Sequence, residues 1–337
     1  MTAVPVAVAT RFGVIVAQLL VVSMVLFIVL RLLPADPSAM LIPADATRAD
    51  AQAIRVALGL DKPITEQYLI WFADLVRGNL GESIQARQPV LDLVLSALPI
   101  TLELVFCGLV LGLVLGIGGG LASFYWRGGL FERGVEAISS LSQAIPEFLW
   151  GIILILAFGV AIPLFPFIGP IDPHLVVPRV TGFLLVDTLL SGNVDAFFDR
   201  VTHLILPSIA LSMTKAPLIM RVLRSSLIEA YTEEYVAAAR LRGISEARIL
   251  FRHALRNASL PTVSLIGVQA GHMFGGTLLL EAIYSLPGIG GLMISALKAL
   301  DLPLIQGLAL AYCTAVLLLN SLVDASYLWL NPRLRKQ

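Results

Sequence analysis

The chain reads as an all-α polytopic membrane protein with six transmembrane helices and a small, mostly helical extracytoplasmic subdomain. Of its 337 residues, 58% are hydrophobic and 14% charged, with a mean hydropathy of +0.88. A soluble globular chain carries roughly 25% charged residues. The deficit is concentrated: long uncharged apolar runs alternate with short charged segments, the pattern of a chain that crosses a bilayer repeatedly. The net charge is zero, so the total says nothing about partners and only the distribution of charge is informative; a chain of this kind is expected to have the lipid bilayer, not nucleic acid, as a partner.

A span needs about 20 apolar residues, because the hydrocarbon core is ~30 Å thick and a helix rises ~1.5 Å per residue. Six runs qualify, at roughly 12–33, 99–124, 136–163, 203–222, 261–284 and 304–325. The first is uncharged from Phe12 to Leu30. It exceeds a signal-peptide core of about 7–15 residues, so it is expected to be retained. The fourth is short and contains Pro207, Lys215 and Pro217, which blur its ends.

Lys and Arg in the connecting segments set orientation. Arg127 and Arg133 follow span two, Arg221 and Arg224 close span four, and Arg333, Arg335 and Lys336 end the chain. Segment 34–98 carries eight acids against five basic residues, and segment 164–202 four acids against Arg179 and Arg200. Both termini are therefore expected in the cytoplasm, with 34–98 and 164–202 outside. Within 34–98, Thr47 and Asp50 suggest a cap and Gly59 a stop for a helix over about 47–58. Ile64, Tyr68, Phe72, Leu75 and Val76 then recur at helical spacing up to Gly78.

Two spans carry glycines four apart: Gly108, Gly112, Gly116 and Gly120 in span two, and Gly267, Gly271 and Gly275 in span five. Such a face lets helix backbones approach closely. Between spans four and five lies EEYVAAARLRGISEARILFRHALRNASLP, residues 233–261, with Arg240, Arg242, Arg248, Arg252 and Arg256. The pattern predicts a helix over 226–242 stopped by Gly243, and a second amphipathic helix over 246–256 capped by Ser245. Asn257 and Pro261 are expected to break the chain before span five. A basic loop that merely orients the protein would not require the small-residue patch, the placed glycine or the second amphipathic helix. A projecting helix with an apolar edge suits a groove on a cytoplasmic partner.

Cys107 and Cys313 lie in apolar runs, the four histidines are scattered, and no CxxC or HExxH occurs; neither metal nor cofactor is expected. None of Lys62, Lys215, Lys298 and Lys336 follows a glycine, so the chain lacks a GxxxxGK[ST] phosphate loop. Nor is there a GxSxG, a pair of mid-span aspartates or metal-ligand spacing for an intramembrane enzyme. A secondary transporter would place ionisable relays mid-membrane. Glu147, beside Pro146 and near Gln143, is the best such residue, with His272 and Glu281 in span five as further pathway candidates. One acid is a thin basis for ion coupling, so that class remains a remote alternative.

The order A-A-x-x-x-G, then a helix, then L-P before a span resembles the EAA loop of ABC importer permeases, with Ala238, Ala239, Gly243 and Pro261 at the motif positions. Ala237 stands where the motif has Glu, and the distance from Gly243 to Pro261 exceeds the general form. The longer form, RxRGxSxxRxxxRHALRNAxLP, resembles the dipeptide, oligopeptide and nickel permease subfamily. LRLLPADPS (30–38), GLDKPITEQYLIWFADLVRGNLGESI (59–84), LPITLEL (98–104), EAIYSLPGIGGLMISAL (281–297) and NPRLR (331–335) agree.

The resemblance implies a type I ABC importer permease fold in the inner or plasma membrane. Residues 1–97 would form the first span and outer subdomain, 98–328 the permease core with its coupling loop at 226–261, and 329–337 a cytoplasmic tail. It implies a second permease, two cytoplasmic ATPases and an extracytoplasmic solute-binding protein as partners, and no catalytic residue in this chain. The coupling residues would be Ala238, Ala239, Arg240, Arg242, Gly243, Ser245, Glu246, Arg248, Arg252, His253, Arg256, Asn257 and Pro261. The implied cargo is a di- or oligopeptide, with a nickel chelate, modified peptide or other small solute as the alternative.

Overall fold

The computed structural model describes residues 3–32, 56 and 61–330, leaving aside the side chains of 3–12 and 322–330. The helix expected over 47–58 and the NPRLR ending lie outside the described residues, Val56 excepted. Among the described residues the secondary structure is helical apart from one isolated bridge, Glu82 to Pro89. Four helices are long and apolar enough to cross a membrane, and two bent pairs raise the number of crossings to as many as six.

The helices are α1 (Ala3–Leu32), α2 (Ile64–Val76) and α3 (Val90–Tyr125), then α4 (Leu130–Ala144) and α5 (Glu147–Ala161). α6 (Leu184–Leu190), α7 (Val194–Met213), α8 (Ala216–Ala230) and α9 (Glu234–Leu241) follow. α10 (Glu246–Ile283), α11 (Ile289–Lys298) and α12 (Leu302–Leu330) complete the chain. The chain divides into two compact units: residues 1–100 with 287–318, and 101–286 with 319–337.

In the first unit, Val90, Val94 and Ala97 of α3 form a buried core with Leu30 of α1, Ile289 and Ala296 of α11, and Leu302, Leu304, Ile305 and Leu308 of α12. Asp301 is fully buried and organises the turn before α12. Its carboxylate accepts from Ser83 Oγ at 2.6 Å, Gln85 N at 3.1 Å and Leu304 N at 3.2 Å. α2 forms as its spacing predicts, but it packs through Tyr68 and Trp71 on the buried Phe27 ring, at 5.5 and 5.4 Å. Ile64 and Val76, which belong to the same spacing, are exposed.

In the second unit the glycines of α3 accept the α7–α8 pair at close range. A Cβ at Gly108 would stand 2.7 Å from Leu211, one at Gly116 2.7 Å from Ile219, and one at Gly120 3.2 Å from Leu223. The expected ladder is a packing face. At its other end Glu103 of α3 pairs with the fully buried Arg200 of α7. Arg200 Nη1 also donates to the Pro170 carbonyl at 2.9 Å, and Glu103 Oε1 accepts from Leu185 N at 2.5 Å. One buried ion pair thereby ties the irregular 162–183 stretch to two long helices.

Four expectations from the sequence are corrected. The run 136–163 is not one straight span: α4 and α5 meet at 107°. Pro146 disfavours a helical residue before it, and Ile145 is extended at φ −99°, ψ 125°. The run 203–222 straddles a second bend of 53° between α7 and α8, where Pro217 occupies the first turn of α8 and lacks the N–H that would continue α7. The helix expected over 226–242 is interrupted at 231–233, where Thr232 N and Oγ1 both donate to the Glu229 carbonyl, at 2.9 and 2.7 Å. Conversely, Asn257 and Pro261 do not break α10, which runs unbroken from 246 to 283 with a π-helical stretch at Ile249–Ala254. Proline costs the ladder one donor, and a helix packed along its length by neighbours tolerates that inside a membrane.

Candidate functional site

Both helix bends border one cavity of about 300 Å³. Its wall includes Gln143, Glu147, Thr214, Lys215, Gly276 and Leu279. Glu147 opens α5 immediately after Pro146, and Lys215 sits at the cap position of α8. The Glu147 carboxylate accepts from Thr214 Oγ1 at 2.9 Å and pairs with Lys215 Nζ at 3.1 Å. The side chains are 20% and 14% exposed, respectively. An acid at a helix N-terminus is favoured by the helix dipole, whereas an ammonium there is disfavoured, so Lys215 depends on Glu147. Gly276 of α10 makes room: a Cβ there would overlap the Glu147 carboxylate. Trp150, one turn further along α5, donates from Nε1 to the Ser142 carbonyl at 3.2 Å, bridging the bend.

Of the four pathway candidates, the structure brings together Gln143 and Glu147 on this wall. His272 is exposed away from it, and Glu281 is fully buried near the end of α10. Sequence reasoning missed Thr214, Lys215 and Gly276 as partners of Glu147. Lys215, two residues before Pro217 inside an apolar run, was the available signal.

The second cluster is the elbow from Tyr231 to Ala254. Gly243 ends α9 with φ +74°. Gly243 N donates to the Arg240 carbonyl at 2.9 Å and Ile244 N to that of Ala239 at 3.1 Å, the two bonds of a Schellman ending. Ile244 then packs with Val236, Ala239 and Ile249. Ser245 stands at the cap position of α10, though its hydroxyl makes no capping bond. Arg240 donates to Glu246 at 2.6 and 3.2 Å and lies over the Tyr231 ring at 5.6 Å. The hydrogen bond from Arg240 holds the Glu246 carboxyl below its ordinary value and raises the guanidinium in return.

Ala239 is buried and His253 half-buried, while Ala238, Arg242, Arg248, Arg252, Arg256, Asn257 and Pro261 are exposed. Leu241 and Phe251, which sequence reasoning passed over, are 91% and 61% exposed. Beneath the elbow, Leu250, Ala254 and Ala258 of α10 join Phe124, Leu223, Leu227 and Ala230 in a buried core. The result is a two-sided elbow: apolar inside, and outside a basic surface with two bare apolar side chains. Among the described residues no group of His, Cys, Asp and Glu is placed to hold a metal ion.

Residues 94–336 match the family described as the binding-protein-dependent transport system inner membrane component, and residues 7–105 match its N-terminal companion. The di/tripeptide transport system permease protein DppB of Pseudomonas aeruginosa is 39% identical over 98% of both chains. The probable D,D-dipeptide transport system permease protein DdpB of Escherichia coli K12 is 35% identical over 93% of this chain and 92% of that one. The dipeptide permease DppB of the same strain is 34% identical over 96% and 97%.

Proposed function

The chain belongs to the family of binding-protein-dependent transport system inner membrane components, and on that premise we propose that it is one of two permease subunits of an ATP-driven importer of short peptides. The relatives named for dipeptide and di/tripeptide transport align over nearly the whole chain, which supports the cargo class. The geometry supports the division of labour through one observation, the elbow. A short helical projection with Leu241 and Phe251 bare among arginines is a surface built to enter an apolar groove. In this reading two cytoplasmic ATPases take up that surface, a solute-binding protein delivers cargo from the opposite side, and ATP binding and hydrolysis shift the pair of permeases between inward- and outward-facing states.

Both termini are cytoplasmic in this reading, and energy arrives from outside the chain. The coupling residues are those of the elbow, from Ala238 to Pro261, and the pathway passes Gln143 and Glu147. The test is a double charge reversal, Arg248→Glu with Arg252→Glu, in the complete transporter. The variant should insert in the membrane at normal levels, lose the ATPases on purification and take up no peptide. Co-purification of the ATPases at the normal ratio would overturn the assignment.

A further inference from the structure

Charged side chains within a membrane-spanning segment are costly and point to function, with the partner as the first thing to identify. Glu147 and Lys215 stand at the bends of two spans, pair at 3.1 Å, and line a cavity rather than a closed helix interface. A pair kept only to join two helices would be better served by apolar side chains, since a buried ion pair seldom adds net stability. The cavity, at about 300 Å³, reaches the lower end of the volumes that hold small ligands, roughly 300–1,000 Å³.

We propose that this cavity is a station for the two charged ends of a short peptide, with Glu147 receiving the terminal ammonium and Lys215 the terminal carboxylate. The proposal rests on the peptide-importer reading above. Its physical basis is charge balance. In the empty state each side chain neutralises the other. A zwitterion replaces both partners at once, ammonium for ammonium and carboxylate for carboxylate, so neither protein charge is left bare. A ligand with one blocked end would strand Glu147 or Lys215, and an uncompensated buried charge is the expensive outcome.

The surroundings fit that exchange. Thr214 Oγ1, 2.9 Å from Glu147, is a neutral group that can hold the carboxylate as the lysine swings away. The N-terminus of α8 at Lys215 favours an incoming anion. Gly276 on the cavity wall gives the Glu147 carboxylate room that a Cβ would fill. Leu279 on the same wall is 48% exposed, an apolar contact that reads no particular side chain.

The experiment uses the assembled permease–ATPase complex in nanodiscs, without its binding protein, carrying Leu279→Cys. Alkylation of that cysteine is followed by mass spectrometry of this chain. Alanyl-alanine at millimolar concentration should slow alkylation several-fold, while the peptide blocked at both ends, N-acetyl-alanyl-alaninamide, should not. Glu147→Gln should weaken the protection by about tenfold, the effect of losing one charge-assisted contact. Equal protection by the free and blocked peptides overturns the proposal, and that comparison needs no charge variant that might misassemble. So does absence of protection in a complex that takes up alanyl-alanine once the binding protein is restored. If restoring the binding protein gives no peptide uptake at all, the peptide-importer reading fails, and the station falls with it.

Discussion

Gly243 shows how one residue governs the elbow. Its φ of +74° closes α9 with both Schellman bonds, yet an added Cβ would meet nothing within 4 Å. The constraint is conformational, not steric. A residue with a Cβ pays about 1–2 kcal/mol in the left-handed region, and Asn tolerates it better than a β-branched residue. Gly243→Asn should therefore retain most uptake, and Gly243→Val should raise the ATP hydrolysed per peptide imported, both measured in proteoliposomes. Equal damage from the two would mean that a partner contacts this glycine. Next to it, Glu246 titrates below the ordinary glutamate value of 4.5 because Arg240 hydrogen-bonds it. A depressed folded value means that the pair's contribution is present above the unfolded value and lost as pH falls through the folded one. Amide exchange over 240–246, corrected for its intrinsic pH dependence, should rise in that acid range, and Glu246→Gln should remove the step.

At the scale of elements, the buried Glu103–Arg200 pair predicts an asymmetry. Removing one partner leaves a bare charge and an orphaned contact to Pro170 or Leu185, at a cost of about 3–5 kcal/mol. Arg200→Met should lower the thermal midpoint of the detergent-solubilised protein more than the double change Glu103→Leu with Arg200→Met. A double variant no more stable than the single would show that the stranded Glu103 carries no penalty, and the asymmetry would fail. The same elements show what was legible in the sequence. Spans one, two, five and six follow from unbroken apolar runs, and the α3 ladder from glycines four apart. The bends at Ile145–Pro146 and Thr214–Lys215 were marked only by Pro146 and Pro217, because averaging over an apolar window does not register a change of direction. The interruption at 231–233 carries no glycine or proline. Tyr231 there packs at a tilt against Phe124, with ring centroids 4.7 Å apart, a tertiary contact between residues over a hundred positions apart. Glu147 was singled out, but the 67 positions that separate it from Thr214, the neighbour of Lys215, hid its partners.

For the whole molecule the decisive property is which side of the membrane each segment occupies. α3 has 36 residues, about 54 Å at ~1.5 Å per residue, longer than the ~30 Å hydrocarbon core. Its two ends must therefore emerge on opposite sides. Arg77 and Arg87 precede it, but Arg127 and Arg133 follow its end and are joined there by Arg221, Arg224 and the five arginines of the elbow, so the positive-inside rule predicts the 126–133 segment in the cytoplasm. The elbow shares that side. Arg224 of α8 pairs with Glu132 and Glu136 of α4, and Tyr231 meets Phe124, so the end of α8 lies beside the start of α4. A cysteine at the exposed Glu82 should react with a membrane-impermeant thiol reagent in sealed cells. One at Leu130, 85% exposed, should react only after the membrane is opened. Cys107 and Cys313 are half-buried free thiols inside α3 and α12 and should contribute little signal. Labelling at position 130 in sealed cells would turn the molecule over. The elbow would then face away from cytoplasmic ATP, and no ATPase could reach Leu241, Phe251 and the arginines around them.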